Sequence, residues 1–422
     1  MTDSIALQAH GLFKIFGRRA ADSVELLRSG VSRGELDAGT TAAVIDASFE
    51  VKTGEIFVVM GLSGSGKSTL IRMLNGLLDA TAGTVTIGPD TITGIPTKTL
   101  RQIRRTRISM VFQHFALLPH RSVLDNVAYG LEIQGVSRAE RIGRAMQTIE
   151  LVGLGGWAEK LPDELSGGMK QRVGLARALT ADTEVLLMDE AFSALDPLIR
   201  REMQEQLLEL QSSLGKTIIF ITHDLNEAMF LGDRIAVMRD GRIVQIGTPE
   251  EILTDPANDY VEQFVQDVDR ARVLTAASVM EAARPVVQAK AGPRAALKAM
   301  RDMQTSAAYV TGRDRRLRGV VRDRDALKLV RSGESKLDSA IRDDYSAVSG
   351  DTALIDLFVP AVETPLPLAV VDEDNRLLGV VPRVTLLAAL GPGQTATEEI
   401  AVLQPPLPTS TVDEALAIEE AH

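Results

Sequence analysis

At 422 residues the chain is too long for a single compact core, so two or three domains are expected. It has no cysteine and only five histidines, which excludes disulfides, thiolate metal sites and cysteine nucleophiles, fits an intracellular location and leaves little for a His-rich metal site. A net charge of −11, with one Trp and four Tyr, argues against nucleic acid as a partner. The N-terminal residues are not expected to act as a secretory signal, and with no uncharged apolar run of about 18 residues nothing here is expected to span a bilayer, so any pore is expected from another chain.

In chain order, residues 5–16 and 43–52 alternate loosely and carry β-formers, and residues 56–60 (IFVVM) form a short apolar run. That run leads into Gly61-x-x-Gly64-x-Gly66-Lys67-Ser68-Thr69 and then a helix-like stretch, the strand–loop–helix context of a phosphate-binding loop. Residues 122–165 read as mostly helical. Residues 185–189 (VLLMD) and 217–222 (TIIFIT) read as buried parallel strands. RIAVM and RIVQI flank Asp240-Gly241 as a hairpin, and Thr248, Pro249 and Glu251 cap a closing helix, so a first domain spans 1–270.

Residues 275–390 hold an internal repeat of 60 residues: YVTGRDRRLRGVVRDRDAL (309–327) aligns with AVVDEDNRLLGVVPRVTLL (369–387), each unit reading strand, turn, strand, helix. The repeats cover about 275–342 and 343–390. From 391 to 422 the composition turns to Pro, Gly, Thr and acidic residues, expected to be an acidic flexible tail.

Three motifs carry chemistry. In the glycine loop, Gly61, Gly64 and Gly66, with Ser63, Ser65 and Thr69, let backbone N–H groups curl around phosphate oxygens, and the following helix adds its positive end. Lys67 is placed to reach the β- and γ-phosphates and Ser68 to ligate Mg²⁺. Asp189 closes an apolar strand and can hold the metal through water; Glu190, one residue on, is placed to polarise the attacking water. Ser166-Gly167-Gly168 opens a second helix, a second anion-binding end 99 residues beyond Lys67.

The glycine loop, LSGGMKQR (165–172), VLLMDE (185–190), Ser193-Ala194-Leu195-Asp196 and Ile221-Thr222-His223-Asp224 stand in the order found in ABC ATPases, which this chain resembles over about residues 5–270. Gln113, in VFQHFALLPH, resembles their Q-loop. The resemblance implies an α/β fold with a RecA-like core, an antiparallel β subdomain and an α-helical subdomain (about 114–170). It implies a head-to-tail homodimer with two ATP molecules between one subunit's loop and the other's signature, completed by Ser166, Gly167 and Gly168. It makes Glu190 and His223 catalytic, with His223 sensing the γ-phosphate. Gln113 then contacts the metal and faces the membrane subunits, Asp196 links the two sites, and Phe16 stacks on adenine.

KIFG, an insert at 18–42, PDELSGGMKQRVGLARAL and LLMDEAFSALDPLIR resemble more narrowly the ATPase subunit of glycine betaine/proline betaine importers, and the paired repeat resembles tandem CBS modules. On that likeness the chain works peripherally at the cytoplasmic face of the inner membrane, with a transmembrane permease and a substrate-binding protein. Importers of choline or carnitine, and a non-transport ABC ATPase, stay open as alternatives. Where many CBS modules hold adenosine nucleotides, this chain has Arg322 and Asp325 in one repeat and Pro382 and Thr385 in the other, which argues against ordinary AMP or ATP binding there. Residues 275–342 carry 15 basic against 7 acidic groups, while 343–390 carry 2 against 8. Arg313, Arg315, Arg316, Arg318, Arg322 and Arg324 suggest a patch for an anionic membrane surface, released as salt rises.

Overall fold

The computed structural model describes residues 4–113, 115–389 and 405–417. They fall into two compact units that divide between Val268 and Asp269.

The strands of the first unit are β1 (Ile5–Phe16), β2 (Thr41–Lys52), β3 (Ile56–Met60), β4 (Ala82–Ile87), β5 (Asp90–Thr91), β6 (Ile108–Val111), β7 (Val185–Asp189), β8 (Thr217–Thr222), β9 (Arg234–Arg239) and β10 (Arg242–Gly247). Its helices are α1 (Ala20–Arg28), α2 (Lys67–Leu74), α3 (Thr97–Thr106), α4 (Val123–Gln134), α5 (Arg138–Leu151), α6 (Gly167–Thr180), α7 (Pro197–Leu214), α8 (Leu225–Leu231), α9 (Pro249–Thr254) and α10 (Asp259–Phe264).

The uniformly apolar runs become the inner strands of the sheet β10-β9-β3-β8-β7-β6. Its β9, β3, β8, β7 and β6 pair parallel, and β3, β7 and β8 are buried at every position, as a parallel sheet requires. The second sheet, β2-β1-β4-β5, is antiparallel, and β2 largely alternates wet and buried positions. One core joins both: Phe57 and Val59 of β3, Leu70, Ile71 and Leu74 of α2, and Val44, Phe49 and Val51 of β2. Phe49 and Phe57 stack at 5.1 Å between centroids. Each such side chain contributes about 1.5–3 kcal/mol of burial, so the packing clamps the loop between β3 and α2 from both ends.

A separate core unites Val123, Val127 and Leu131 of α4 with Ala145 and Ile149 of α5 and Val173 and Ala176 of α6. Because α6 runs unbroken from Gly167 to Thr180, the expected border of the helical region at residue 170 falls inside a helix rather than at its end. Buried Asn126 fastens the loop before α4: its carbonyl accepts from Leu118 N–H (2.8 Å) and its amide donates to the Leu118, Arg121 and Ser122 carbonyls (3.0–3.1 Å). In the insert, Val24 and Leu27 of α1 pack on Phe13, Ile15 and Ile45. Thr248 accepts from Glu251 N–H and Glu251 from Thr248 N–H, the expected capping box of α9.

The second unit begins with the single turns α11 (Arg270–Val273) and α12 (Ala276–Val279), followed by two copies of one motif. The first has β11 (Val286–Gln288), α13 (Gly292–Asp302), β12 (Ala307–Thr311), β13 (Leu317–Arg322) and α14 (Asp323–Arg331). The second has β14 (Ala347–Ser349), α15 (Phe358–Glu363), β15 (Leu368–Val371), β16 (Leu377–Val381) and α16 (Arg383–Ala388). In each sheet the first two strands are parallel and the last two antiparallel. The registers agree at the repeat spacing: Val310 faces Gly319 as Val370 faces Gly379, and Tyr309 faces Val320 as Ala369 faces Val380. The leading strands β11 and β14 are an addition to the expected strand–turn–strand–helix. The two hairpin turns bond reciprocally: Leu317 N–H donates to Asn375 C=O (2.8 Å) and Leu377 N–H to Arg315 C=O (3.1 Å).

The expected flexible tail needs correction where it is described. Residues 409–417 form a helix, α17 (Thr409–Ala417), whose Val412 and Ala415 enter the core of Leu297, Met300, Leu327 and Val330. Asp413 pairs with Arg301, and Leu407 N–H donates to Asp323 (2.8 Å). Three prolines precede the helix and two acidic residues lie in it, but Val412 and Ala415, three apart, with Leu416 packed beside them, seat one helical face. Residues 391–404 and 418–422 lie outside the described residues.

Candidate nucleotide site

The loop between β3 and α2 is built from glycines at positive φ: 151° at Gly61, 80° at Gly64 and 104° at Gly66. A side chain is barred at two of them, since a Cβ on Gly61 would lie 2.2 Å from the Met238 carbonyl and one on Gly66 2.1 Å from that of Ala43. Gly66 is the N-cap of α2 and offers no side-chain acceptor, so the helix's first amides keep their donors for a ligand. Lys67 is buried, its ammonium donating to the Gly61 (2.7 Å) and Leu62 (3.1 Å) carbonyls. Burial holds its pKa below the usual lysine value, partly offset by the charges of Glu190 and Asp189. Ser65 Oγ is buried without a hydrogen-bond partner among the described residues, a polar atom aimed at a group the chain does not supply.

β7 delivers the two carboxylates. Ser68 Oγ donates to Asp189 Oδ1 (3.3 Å), and burial raises the Asp189 pKa despite that bond. Glu190 turns out of the strand at φ 47°, a left-handed conformation uncommon for a non-glycine residue, fixed by its N–H to the Ile221 carbonyl (2.9 Å). That turn brings three motifs to one oxygen: Glu190 Oε2 lies 3.1 Å from His223 Nδ1 and 3.3 Å from Gln113 Nε2. Gln113 also donates to Ser193 Oγ (3.4 Å), whose hydroxyl donates to the Glu190 carbonyl (2.9 Å).

The remaining residues stand apart from this cluster. Ser166 caps α6, accepting from Met169 N–H (3.3 Å), and is exposed with Gly167. Gly168 backs onto Ile199. Asp196 caps α7, accepting from Ile199 N–H (3.1 Å), and is exposed. Phe16 ends β1 45% exposed with the Lys14 ammonium 5.2 Å from its ring centre. Ser63 and Gly64 are exposed at the loop tip and Thr69 is half-buried.

Sequence reasoning passed over Asn126, Arg177 and Arg200. Arg177 donates to the Ala116 (2.8 Å) and Phe115 (3.1 Å) carbonyls, holding the chain just after Gln113. A groove of about 520 Å³ opens there, lined by Phe112, Leu118, Tyr129, Ile133, Arg101 and Arg105. In the repeat unit Asp325 pairs with Arg342 (2.8 Å), Arg322 with Asp344, and Thr385 with Glu281, so three of the four positions in question already bond within the chain. The arginine patch divides likewise. Arg316 pairs with Asp374 (3.2 Å) and the Arg315 guanidinium donates to the Leu377 carbonyl (3.1 Å), while Arg313, Arg318 and Arg324 are exposed with no ion-pair partner among the described residues.

Comparison with known proteins fits this geometry. The ABC transporter family model matches residues 44–193 and the CBS domain model residues 276–332. The chain is 51% identical over 388 residues to the glycine betaine transport ATP-binding protein of Bacillus subtilis, covering 92% of each. It is 45% identical to the glycine betaine/proline betaine transport system ATP-binding protein of Escherichia coli, covering 92% of this chain and 98% of that one. The chain belongs to the ABC transporter family, among the glycine betaine/proline betaine ATP-binding subunits. As an ABC subunit it binds ATP. A solved ATP-binding cassette, a dimer in a post-hydrolysis state bound to ADP and Pi, matches 58% of the ABC subunit at 30% identity and a TM-score of 0.50, with 98% of that chain covered. No helix among the subunit's described residues is long and apolar enough to cross a membrane.

Proposed function

We propose that the chain hydrolyses Mg·ATP as a head-to-tail homodimer and so powers import of glycine betaine or proline betaine through a transmembrane permease fed by a substrate-binding protein. The observation that carries the catalytic reading is the meeting of Gln113, Glu190 and His223 at one carboxylate oxygen beside the phosphate loop. Glu190 polarises the attacking water, His223 contacts the γ-phosphate, and Lys67 with the loop amides holds the phosphates. The residues fit Mg²⁺: Ser68, Asp189 and Gln113 offer a few hard oxygens and would hold the ion together with phosphate oxygens and water. Held there, Mg²⁺ would supply positive charge against the β- and γ-phosphates.

The dimer reading rests on Ser166, Gly167 and Asp196, exposed at the starts of α6 and α7. Phe16, exposed on a strand end, suits an adenine ring. The groove beside Gln113 suits a permease element. The solute is supported by the relatives' printed names, and the Listeria monocytogenes relative, 49% identical over 91% of this chain, is named for glycine betaine and carnitine. The repeat unit regulates turnover by ionic strength through Arg313, Arg318 and Arg324 on an anionic membrane surface at the cytoplasmic face. The test is ATPase and uptake in proteoliposomes holding the chain with its permease and binding protein. Glycine betaine or proline betaine should stimulate both. Stimulation by choline or carnitine alone, or by no solute, would overturn the assignment.

A further inference from the structure

Helix α7 leaves the Ser193–Asp196 loop between two places that the reaction uses. On one side Ile199 lies against the signature, where a Cβ on Gly168 would stand 2.7 Å from Ile199 Cγ2, and Glu202 pairs with Arg172 of α6. On the other side the Arg200 guanidinium donates to the Leu195 carbonyl (3.1 Å) and to Asp224 Oδ2 (3.2 Å). Asp224 is itself held firmly. Its Oδ1 accepts from the Asn226 (3.0 Å) and Glu227 (3.2 Å) amides at the start of α8, and its own N–H donates to Thr222 Oγ1 (2.9 Å). It directly follows His223, the residue seated on Glu190. One turn further along α7, Gln204 donates to Glu227 (3.0 Å), a second and buried rung between α7 and α8 that leaves the Ser193–Asp196 loop untouched.

We propose that Arg200 is a positioning residue: it ties the Ser193–Asp196 loop to the seating of His223 on Glu190, so that what the signature meets at one ATP is felt at the other ATP through a single subunit. The inference rests on the two-site dimer reading above. The guanidinium is a planar fork whose two bonds are set together, so a shift of the Leu195 carbonyl must move Asp224 or break a bond. No other side chain bonds both loops among the described residues.

The experiment measures kcat, KM for ATP, the Hill coefficient and the melting temperature for Arg200→Gln, Arg200→Lys and Gln204→Leu, in the full chain assembled with its permease. Arg200→Gln should lower kcat about tenfold, the scale of coupling mutations, leave KM and melting temperature unchanged, and bring the Hill coefficient to about 1. Arg200→Lys, which can keep one bond, should recover part of kcat. Gln204→Leu should lower the melting temperature and leave the kcat of folded protein as it was. An Arg200→Gln variant that loses melting temperature and kcat together with an unchanged Hill coefficient would make Arg200 a strut only and overturn the proposal. Ser166→Arg, run alongside, separates the two failures. Full activity there overturns the two-site reading and the coupling with it, whereas lost activity there beside an unchanged Hill coefficient in Arg200→Gln overturns the role of Arg200 alone.

Discussion

Helices α2 and α6 both begin where a phosphate is expected, yet their first turns are built oppositely. Gly66 opens α2 in a left-handed conformation with no side-chain cap, and the buried Lys67 ammonium sits inside the loop. Ser166 opens α6 as an extended residue whose own hydroxyl satisfies Met169 N–H, and the turn lies open to solvent. The first end retains its donors and carries a buried charge, so it suits a highly charged ligand. The second has spent a donor on itself and buries no charge at its start, so it suits completing a site whose phosphates are already held elsewhere.

The contrast can be broken from either end. The largest effect should come at the carboxylate that serves the first end. Glu190→Gln should keep ATP binding while kcat falls about 10²–10⁴-fold, as loss of a general base does, read by phosphate release and by equilibrium binding of a fluorescent nucleotide. Hydrolysis near the wild-type rate would remove Glu190 from that role.

Lys67→Ala should act differently and weaken nucleotide binding itself. Ser166→Arg should leave binding by the isolated chain in place and abolish turnover. Mixing the two variants should give dimers with one intact composite site, made from the phosphate loop of the Ser166 variant and the signature of the Lys67 variant, and ATP should shift Glu190→Gln toward dimer in light scattering. A mixture that binds no better than either parent would count against the shared site.

A milder change sharpens the comparison. Ser166→Ala removes the capping hydroxyl, which should cost about 1 kcal/mol of helix stability, visible as a lowered denaturation midpoint, with nucleotide affinity at the isolated chain's own phosphate loop unchanged. The smallest effect is expected in the repeat unit. Arg313→Gln, Arg318→Gln and Arg324→Gln should each raise activity at low salt and flatten the salt response by a few-fold, since such contacts are worth about 1 kcal/mol per nearby basic residue. Arg315 and Arg316 make poorer probes of the membrane, because their substitution would also disturb the joint between the repeats.

Much of this chain was legible without coordinates, for identifiable reasons. Short apolar runs bounded by glycine, charge and capping residues are local signals, so β3, β7, β8 and the capping box of α9 follow from a few adjacent residues. The internal repeat was visible because a duplicated core repeats its apolar positions, and the paired registers of β12 with β13 and β15 with β16 preserve that spacing. The glycine positions followed from the backbone path that a phosphate demands, and Gly61 and Gly66 turn out to be hemmed in by neighbouring carbonyls as well.

What only the tertiary structure decided are meetings between distant segments. Gln113, Glu190 and His223 reach one oxygen because parallel strands end on the same edge and Glu190 takes a left-handed turn, an angle that no propensity favours for glutamate. Arg200 acquires its partners from loops on two sides of α7, and nothing in the spacing of an arginine within DPLIRREM distinguishes it from a solvated helix charge. The six arginines looked alike along the chain, but the reciprocal turn contact took Arg315 and Arg316 into the joint between the repeats. The helix at 409–417 likewise depends on a receptive face on α13 and α14, and an acidic, proline-rich composition cannot reveal a docking surface that lies elsewhere in the sequence. Sequence determines what local geometry and chemistry each segment can adopt; which charges stay free and which become bonds is settled by the neighbours that folding brings within reach.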